Sequence, residues 1–452
     1  MKLSRTFVTP VQIAAALAAA LAATAFAAPS ASQPPPPEPE TIDLKTAVGY
    51  ALENNFAIRQ ARERIKEQEG VIVEVKARAI PNVGANGSFQ LNEKEISQFV
   101  PATDRAWTIS VTATQALFAG GGIRSSIRSS ELAKEAAILD LQDVINSALL
   151  EVRTDYYQVL LAREKITVQE ENLKLLEEQL KTTTDRFDAG TVSGFEKLRA
   201  EVAVANAKTP LITARNDYRL AIESLREALG LTPRAGGSGE KTPTVVGELD
   251  YAPQDFNLQT ALSSAEANRP DLKRLAKLVA ASEQGVTTAR SGYLPTLGLA
   301  GGYQLRSGES DPFASGNRDG QFVGLQSNWE IYDGRATSGR VAQARSIVEQ
   351  NRLSLMQTKI NAEVDVRRAY SSWQESNELV EASRKVVEQA QEAVRLANAR
   401  YSAGTGTQLD VLQAQVDLTT ARTNQVQAYY TYNVAVADLR RAMGLTDALV
   451  AQ

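Results

Sequence analysis

The feature that most limits the possible folds is an internal repeat, because a shift of 214 residues aligns the chain with itself without a gap. The segment RFDAGTVSGFEKL at 186–198 falls on RYSAGTGTQLDVL at 400–412. A tandem duplication folds as equivalent units, so we expect one arrangement of helices and strands to occur twice. We place repeat 1 at 43–231 and repeat 2 at 257–445, with a linker at 232–256 and a C-terminal tail at 446–452.

The N-terminus carries an export signal. Lys2 and Arg5 precede the apolar stretch IAAALAAALAATAFAA, and Ala25-Phe26-Ala27 fits the small-x-small cleavage rule. We therefore assign 1–28 to a signal peptide. The following PSASQPPPPEPE predicts an extended, Pro-rich tether over 29–42.

Each repeat contains one very long helical stretch. Neither glycine nor proline occurs from Ile123 to Ala189 or from Arg340 to Ala403, and such runs predict helices about 100 Å long. A return helix ends each repeat, near Leu229 and Met443. A shorter helix begins each one, over 54–79 and 268–293. The two shorter helices together match the long one, so they are expected to lie end to end beside it.

Alternating apolar residues predict two strands in each repeat, between the first helix and the long helix. The four strands cover about 9–11 residues each, as a membrane crossing requires. Repeat 2 is expected to continue its second strand face through Trp329 and Ile331. Four strands cannot close a membrane barrel, whose smallest size is about eight strands. The strands therefore lie outside a membrane, or several chains pool them.

Composition excludes several kinds of chemistry. The chain has no cysteine and no histidine, which removes disulfides, thiol nucleophiles, the usual zinc ligands and imidazole catalysis. The formal net charge of −4 gives no electrostatic reason for nucleic-acid binding. With no phosphate loop, nucleophile elbow or dinucleotide turn, we expect no enzyme activity, cofactor or metal site.

Taken together, the export signal, the duplication, the two strand pairs and the long helices ending in R-[FY]-x-A-G-T resemble the TolC family of outer-membrane efflux proteins. The resemblance implies a fold that is mainly α with a membrane β-barrel. In that family three chains build a 12-stranded barrel that continues into a barrel of long antiparallel coiled-coil helices. It also implies an outer-membrane location with the helical part in the periplasm.

The implied function is passive conduction of substrates to the exterior, in efflux or type I secretion. The implied partners are a homotrimer, a periplasmic adaptor (membrane fusion protein), an inner-membrane pump and outer-membrane lipid. Drug, metal and protein substrates are all compatible with these residues. The alternative interpretation is a periplasmic coiled-coil adaptor or scaffold without a channel, although an adaptor normally interrupts one helical hairpin with a compact β-domain.

By the same resemblance, the turns after the long helices lie at the periplasmic tip, where adaptors dock and the pore narrows. The residues assigned to adaptor-docking turns are Arg186, Gly190, Thr191, Arg400, Gly404 and Thr405. The two glycines are expected at helix C-caps with positive φ. The two arginines are open to two interpretations, bridging between helices and contact with substrate.

Two acidic residues are candidates for the pore itself. Asp410 falls on the family's gating aspartate and Glu196 is its counterpart in repeat 1, so a trimer would carry six carboxylates at one aperture. Both also fit capping boxes with Ser193 and Thr407, and capping alone and capping combined with pore lining both stay open. Some family members close the tip with an arginine where this chain has Gly406, and Gln413 replaces a second aspartate, so closure here requires other contacts.

Overall fold

The computed structural model describes residues 41–91, 105–231, 243–306 and 318–446. The predicted signal peptide, most of the tether, the start of the linker and most of the tail lie outside these residues. The helices are α1 (Leu44–Asn54), α2 (Phe56–Ala77), α3 (Gly122–Asp188), α4 (Gly194–Leu229), α5 (Leu258–Asn268), α6 (Pro270–Arg290), α7 (Ala336–Ser402) and α8 (Gln408–Ala442). The strands are β1 (Thr41–Ile42), β2 (Asn82–Leu91), β3 (Arg105–Ala119), β4 (Thr244–Val245), β5 (Thr296–Arg306) and β6 (Arg318–Asn328).

The long helices are confirmed, with one corrected boundary. Both α3 and α7 have 67 residues. The predicted start of α7 at Arg340 was wrong, because the helix begins at Ala336 and includes Gly339. A glycine in a helix costs only about 1 kcal/mol relative to alanine, which side-chain packing along so long a helix can offset.

The first predicted helix of each repeat, over 54–79 and 268–293, begins two residues later than expected and is preceded by a separate short helix. Asn55 leaves the helical region with ψ 128° and caps α2 by accepting from the backbone N–H groups of Ala57 and Ile58. Arg269 takes the same conformation in repeat 2, followed by Pro270 at the first position of α6. The predicted helix starts, Asn54 and Asn268, are therefore the last residues of α1 and α5.

The shorter helices lie end to end, as predicted. Asn55 Nδ2 donates to the carbonyl of Ala228 over 2.7 Å, so the C-terminus of α4 meets the start of α2. The turn after α4 is Gly230 with φ +72°, and a Cβ there would lie 2.5 Å from the Asn54 carbonyl oxygen. Gly444 has the same φ and a similarly close approach to Arg269. Glycine is required at both junctions by conformation and by space.

The helices form a wall in which α2 and α4 make one edge, α3 follows, then α6 and α8, and α7 makes the other edge. The largest buried cluster lies near the middle of the length of α3, where Val152, Val159 and Leu160 meet Leu225 and Leu229 from the end of α4. No helix in the described ranges has both the length and the apolar character needed to cross a membrane.

The four long strands form one antiparallel sheet in the order β2-β3-β5-β6. The register pairs Ala85 with Val111, Val111 with Tyr303, and Tyr303 with Gln321. Side chains alternate between the faces of a sheet, so one face is largely apolar and the other is small and polar. The apolar face carries Val83, Phe89, Leu91, Trp107, Ile109, Val111, Leu299, Tyr303, Leu305, Val323 and Leu325. The polar face carries Asn86, Ser88, Gln90, Thr108, Ser110, Thr112, Gln304 and Gln326.

Two strand predictions need correction. β3 has 15 residues, more than the predicted 9–11, and the register shifts between Ala116 and Phe118. The expected continuation of β6 through Trp329 and Ile331 was wrong, because pairing stops at Thr296 opposite Asn328. The residue before Thr296 is Pro295, which has no N–H to extend the ladder.

The described end of the linker is a strap across both repeats. β1 and β4 pair in parallel, so Thr41 and Ile42, assigned to the tether from the sequence, form a strand. Tyr156 donates its hydroxyl to the Val246 carbonyl. Tyr432 Oη donates to the Ala252 carbonyl over 2.9 Å. The strap therefore contacts helices from both halves of the chain.

Candidate functional site: the helical hairpin tips

The turns after α3 and α7 have the same backbone structure. Gly190 and Gly404 both have φ +74°, which confirms the predicted C-cap glycines. The N–H of Thr191 donates to the Arg186 carbonyl over 2.9 Å, and that of Thr405 to the Arg400 carbonyl over 2.9 Å. These bonds, with those from the glycine N–H groups, form Schellman motifs.

The two threonines reinforce the same carbonyls. Thr191 Oγ1 donates to the Arg186 carbonyl over 2.9 Å, and Thr405 Oγ1 to the Arg400 carbonyl over 3.3 Å. The six residues assigned to adaptor docking thus hold the hairpin turns in shape through backbone and hydroxyl groups. Docking itself stays a prediction.

Asp410 forms the complete capping box that the sequence predicts. Its N–H donates to Thr407 Oγ1 over 3.2 Å, and its carboxylate accepts from the Thr407 N–H over 2.9 Å. The backbone and side-chain hydrogen bonds from Thr407, helped by the charge of Arg400, lower the pKa of this exposed carboxyl below its usual range. Asp410 is therefore ionised and held in a fixed position at the start of α8.

Glu196 does not complete the corresponding box. Its N–H donates weakly to Ser193 Oγ over 3.4 Å, and its carboxylate accepts at Oε2 from the Tyr401 hydroxyl over 3.4 Å. In both residues the backbone N–H donates to the side chain of the N-cap residue, as the repeat predicts. The carboxylates differ, because that of Asp410 caps its own helix and that of Glu196 contacts the other hairpin.

A contact that the sequence did not reveal joins the two tips. Arg186, at the end of α3, lies with Cζ 4.7 Å from the centroid of the Tyr401 ring, at the end of α7. Tyr401 therefore has a guanidinium over its face and the Glu196 carboxylate at its hydroxyl. We call Arg186, Tyr401 and Glu196 the tip joint. Arg186 therefore bridges two helices, as one of its two interpretations predicts.

One difference between the two repeats in the sequence points to this joint. Phe187 is the repeat 1 counterpart of Tyr401, so the tyrosine hydroxyl is one of the differences between the two tip motifs. Phe187 has Lys197 Nζ 5.3 Å from its ring centroid and has no hydroxyl to donate. Sequence alone does not show which residues of the other repeat approach this position.

The two departures from the family pattern have structural roles of their own. The Gly406 N–H donates to the Arg400 carbonyl over 3.1 Å, and a Cβ at this position would lie 3.0 Å from Arg400 Cβ. Gln413 Nε2 donates to Asp417 Oδ1 over 2.9 Å on the surface of α8. Neither residue supplies a contact between the tips.

Comparison with known proteins identifies the family. The family model described as "Outer membrane efflux protein" matches residues 47–231 and 261–445, which are the two repeats within a few residues. Protein CyaE of Bordetella pertussis is 27% identical over 397 residues, covering 86% of this chain and 81% of that protein. Outer membrane efflux protein BepC of Brucella suis is 26% identical over 405 residues, covering 89% and 85%.

A solved structure shows the same fold. The CmeC outer membrane channel of Campylobacter jejuni superposes with a TM-score of 0.76 at 17% identity, covering 89% of this chain and 85% of that one. The family is one of channels and transport ducts, and its members are not known as enzymes. The sequence-based assignments of family, function and location are thereby confirmed. The chain belongs to the outer membrane efflux protein family and is an outer-membrane efflux or secretion channel whose helical part lies in the periplasm.

Proposed function

We propose that three copies of the chain form a passive, cation-favouring conduit that is held closed at its periplasmic end by the tip joint. The contact of Arg186 and Glu196 with Tyr401 is the observation that carries this proposal, because it ties the hairpin of repeat 2 to that of repeat 1. The conduit delivers substrate to the exterior from an adaptor and an inner-membrane pump, with the adaptor docking at the hairpin turns.

The edges of the helical wall support a ring of copies. Large apolar side chains are exposed along α4 at one edge, namely Phe195, Leu198, Val202, Ile212 and Leu220. They are also exposed along α7 at the other edge, namely Leu353, Met356, Ile360, Val364, Leu379, Val386 and Leu396. Edge-to-edge packing of copies would cover both sets. A head-to-tail interface of this kind generates a closed ring when the rotation between copies divides a full turn.

The edges of the sheet support the same arrangement. β2 and β6 each have a neighbour on one side only within the described residues, and unpaired backbone groups are not tolerated in lipid. Because β2 and β6 run in opposite directions, β6 of one copy would pair antiparallel with β2 of the next. Three copies then give 12 strands and 12 helical columns, as the family resemblance implies.

The sheet faces fit a barrel that crosses the membrane. The apolar face would contact lipid and the small polar face would line the lumen. Aromatic residues near the ends of the sheet are exposed, with Phe89 at 66% and Trp329 at 57%, and they would form the aromatic girdles that such barrels carry at both membrane interfaces. An ordinary sheet core would bury them. A single sheet of this kind also differs from the compact β-domain expected of an adaptor.

Removing the Tyr401 side chain is expected to open the tip. The Tyr401→Ala variant loses a cation–π contact of about 0.5–1 kcal/mol and a hydrogen bond of about 0.5–1.5 kcal/mol in each chain. With three joints releasing together, the open probability is expected to rise at least about tenfold. Single-channel recording in planar lipid bilayers measures this.

Matched variants separate the parts of the joint. Tyr401→Phe keeps the ring under Arg186 and loses the hydroxyl, so its open probability is expected between those of wild type and Tyr401→Ala. Phe187→Ala makes the corresponding change outside the joint and is expected to have a smaller effect. Wild-type gating in Tyr401→Ala would show that the joint does not hold the tip closed.

A further inference from the structure

Where the strap crosses from α3 to α8, the two helices and the strap line a cavity of about 140 Å³, which we call the strap cavity. Its wall consists of residues within 146–157 of α3, residues within 433–446 of α8 and the turn after it, and Gln254 of the strap. The Gln254 N–H donates to Tyr432 Oη over 2.9 Å, and Asn433 Nδ2 donates to the Asp250 carbonyl over 2.8 Å. These bonds hold the strap against α8 beside the cavity.

The wall of the strap cavity is positively charged. Arg153 comes from α3, Arg440 and Arg441 come from the end of α8, and all three line the cavity. Among the described residues that line it, none is an aspartate or a glutamate. Of the two arginines on α8, only Arg441 pairs with a carboxylate in the described part of the chain, that of Asp438 over 3.1 Å. The cavity therefore carries positive charge that its own lining does not balance.

Neutral hydrogen-bond donors accompany the guanidinium groups. Tyr157 brings a phenol hydroxyl and Asn146 brings an amide to the same cavity. Guanidinium groups, hydroxyls and amide N–H groups all donate hydrogen bonds, and a guanidinium binds phosphate through two parallel bonds. A cavity needs about 10–15 Å³ to hold one water molecule, so about 140 Å³ leaves room for a phosphate group with water around it.

Cations in another groove of the helical wall have carboxylate partners. In the groove between α2 and α3, Lys76 pairs with Glu131 over 3.2 Å, and Lys134 pairs with Glu69 over 2.8 Å. Both carboxylates line that groove together with the lysines. The strap cavity differs because its lining supplies arginines without such partners.

The repeat shows that the positive charge is particular to one place in the chain. In the proposed ring, the surface that corresponds to the strap cavity would lie between α7 of one copy and α4 of the next. A shift of 214 residues brings three glutamates to that surface, with Glu363, Glu223 and Glu227 in place of Leu149, Ala437 and Arg441. Those carboxylates would repel an anion, so we expect an anion site within each chain and not between copies.

We propose that the strap cavity is a binding site for a phosphate group, either free inorganic phosphate or a phosphomonoester. A phosphate group offers up to two negative charges and several acceptor oxygens, which match the guanidinium groups and neutral donors better than the single charge of a carboxylate does. The bound phosphate contacts α3, α8 and the strap together, and it stabilises the wall where the two repeats meet. Arg440 lies about 45 Å along α8 from Asp410, so binding here does not depend on the proposed closure of the tip.

Isothermal titration of the purified full-length protein in detergent, at constant ionic strength, measures this binding. We expect one saturable site per chain for inorganic phosphate. Glycerol 3-phosphate is the second probe, and the tighter of the two ligands identifies the source of the phosphate group. Arg440→Gln removes a charge and hydrogen-bond donors, so it is expected to weaken binding at least about tenfold. Arg367→Gln is the matched control, because Arg367 is exposed and pairs with Glu363 through Nε and Nη2 over 3.0 and 2.8 Å, and it is expected to bind phosphate as wild type does.

A second variant places a carboxylate in the cavity wall. Ala437→Glu introduces the residue that repeat 1 has as Glu223, and charge repulsion is expected to abolish phosphate binding. Thermal unfolding without phosphate shows whether each variant is folded, and phosphate is expected to raise the unfolding midpoint of wild type and Arg367→Gln only. Absence of saturable phosphate binding to wild type, or equal binding by wild type and Arg440→Gln, would overturn the inference. Neither result bears on the proposed conduit, which the Tyr401→Ala recordings test separately.

Discussion

Replacing Arg269 with methionine is expected to lower the free energy of unfolding by about 3 kcal/mol, the range for breaking a buried ion pair by removing one partner. Arg269 binds Asp271 through two bonds, Nη2 to Oδ2 over 2.7 Å and Nε to Oδ1 over 3.1 Å, and it reaches Asp365 on α7 over 3.4 Å. Its side chain is 10% exposed and that of Asp271 is 15% exposed. Methionine keeps the apolar stem and leaves the Asp271 carboxylate without its cation.

Thermal unfolding followed by circular dichroism at the helix band measures the change. Arg64→Met is the matched control, because Arg64 pairs with Asp140 in a bridge whose arginine is 56% exposed. Exposed pairs contribute about 0–1 kcal/mol, so this variant is expected to unfold almost as wild type does. Equal effects of the two substitutions would contradict a stabilising role for the Arg269 site.

The Arg269 effect is expected to depend on pH in a defined direction. Burial would by itself raise the pKa of Asp271, but the hydrogen bonds and charge of Arg269 outweigh it and hold that pKa below the usual 3.8. A carboxyl with a lowered folded-state pKa stabilises above its unfolded pKa and loses this contribution as pH falls through the folded one. The difference in the free energy of unfolding between wild type and Arg269→Met is therefore largest near neutral pH and decreases below about pH 4. Burial, and then the charge of Asp271, raise the pKa of nearby Asp143. The contribution of Asp143 to the free energy of unfolding therefore changes with pH in the opposite direction to that of Asp271.

Neutralising the two tip carboxylates is expected to reduce cation selectivity strongly. Asp410→Asn with Glu196→Gln removes six charges from one aperture in a trimer and keeps hydrogen-bond acceptors at the helix starts. Two unit charges 4 Å apart interact by about 1 kcal/mol in bulk water, so the permeability ratio of cations to anions is expected to fall about tenfold. The reversal potential in a potassium chloride gradient measures that ratio.

The control for this variant is Glu53→Gln, which removes an exposed carboxylate on α1, away from the hairpin tips. Unchanged selectivity in the Asp410 and Glu196 double variant would leave these residues with helix capping and the Tyr401 contact only. A change that Glu53→Gln reproduces would show that overall charge, and not charge at the tip, decides selectivity.

The sequence predicted the fold well where one chemical constraint dominates. Runs without glycine and proline fixed both long helices to within a few residues, and Gly190 and Gly404 ended them as expected. Helix boundaries that depend on packing between distant residues were predicted less accurately from the sequence. The predicted start of the first helix was Asn54, whereas Asn55 is the residue that separates α1 from α2. Asn55 caps α2 and also reaches Ala228, which is 173 residues away in the sequence.

At the candidate site, too, contacts between residues close in the sequence were predicted and contacts between distant residues were not. The capping role of Asp410 depends on Thr407, three residues away, and the sequence predicted it. The partner of Glu196 is Tyr401 in the other repeat, and a repeat alignment shows equivalent positions without showing which of them touch.

The most direct test of the central claim is an electron-microscopy reconstruction of the purified protein in lipid nanodiscs. We predict a ring of three chains in which β6 of each chain pairs with β2 of the next. Tyr401 is expected between Arg186 and Glu196 at the narrow end of the helical tunnel. A monomer, or a ring in which the edges of β2 and β6 stay unpaired, would contradict the proposed conduit.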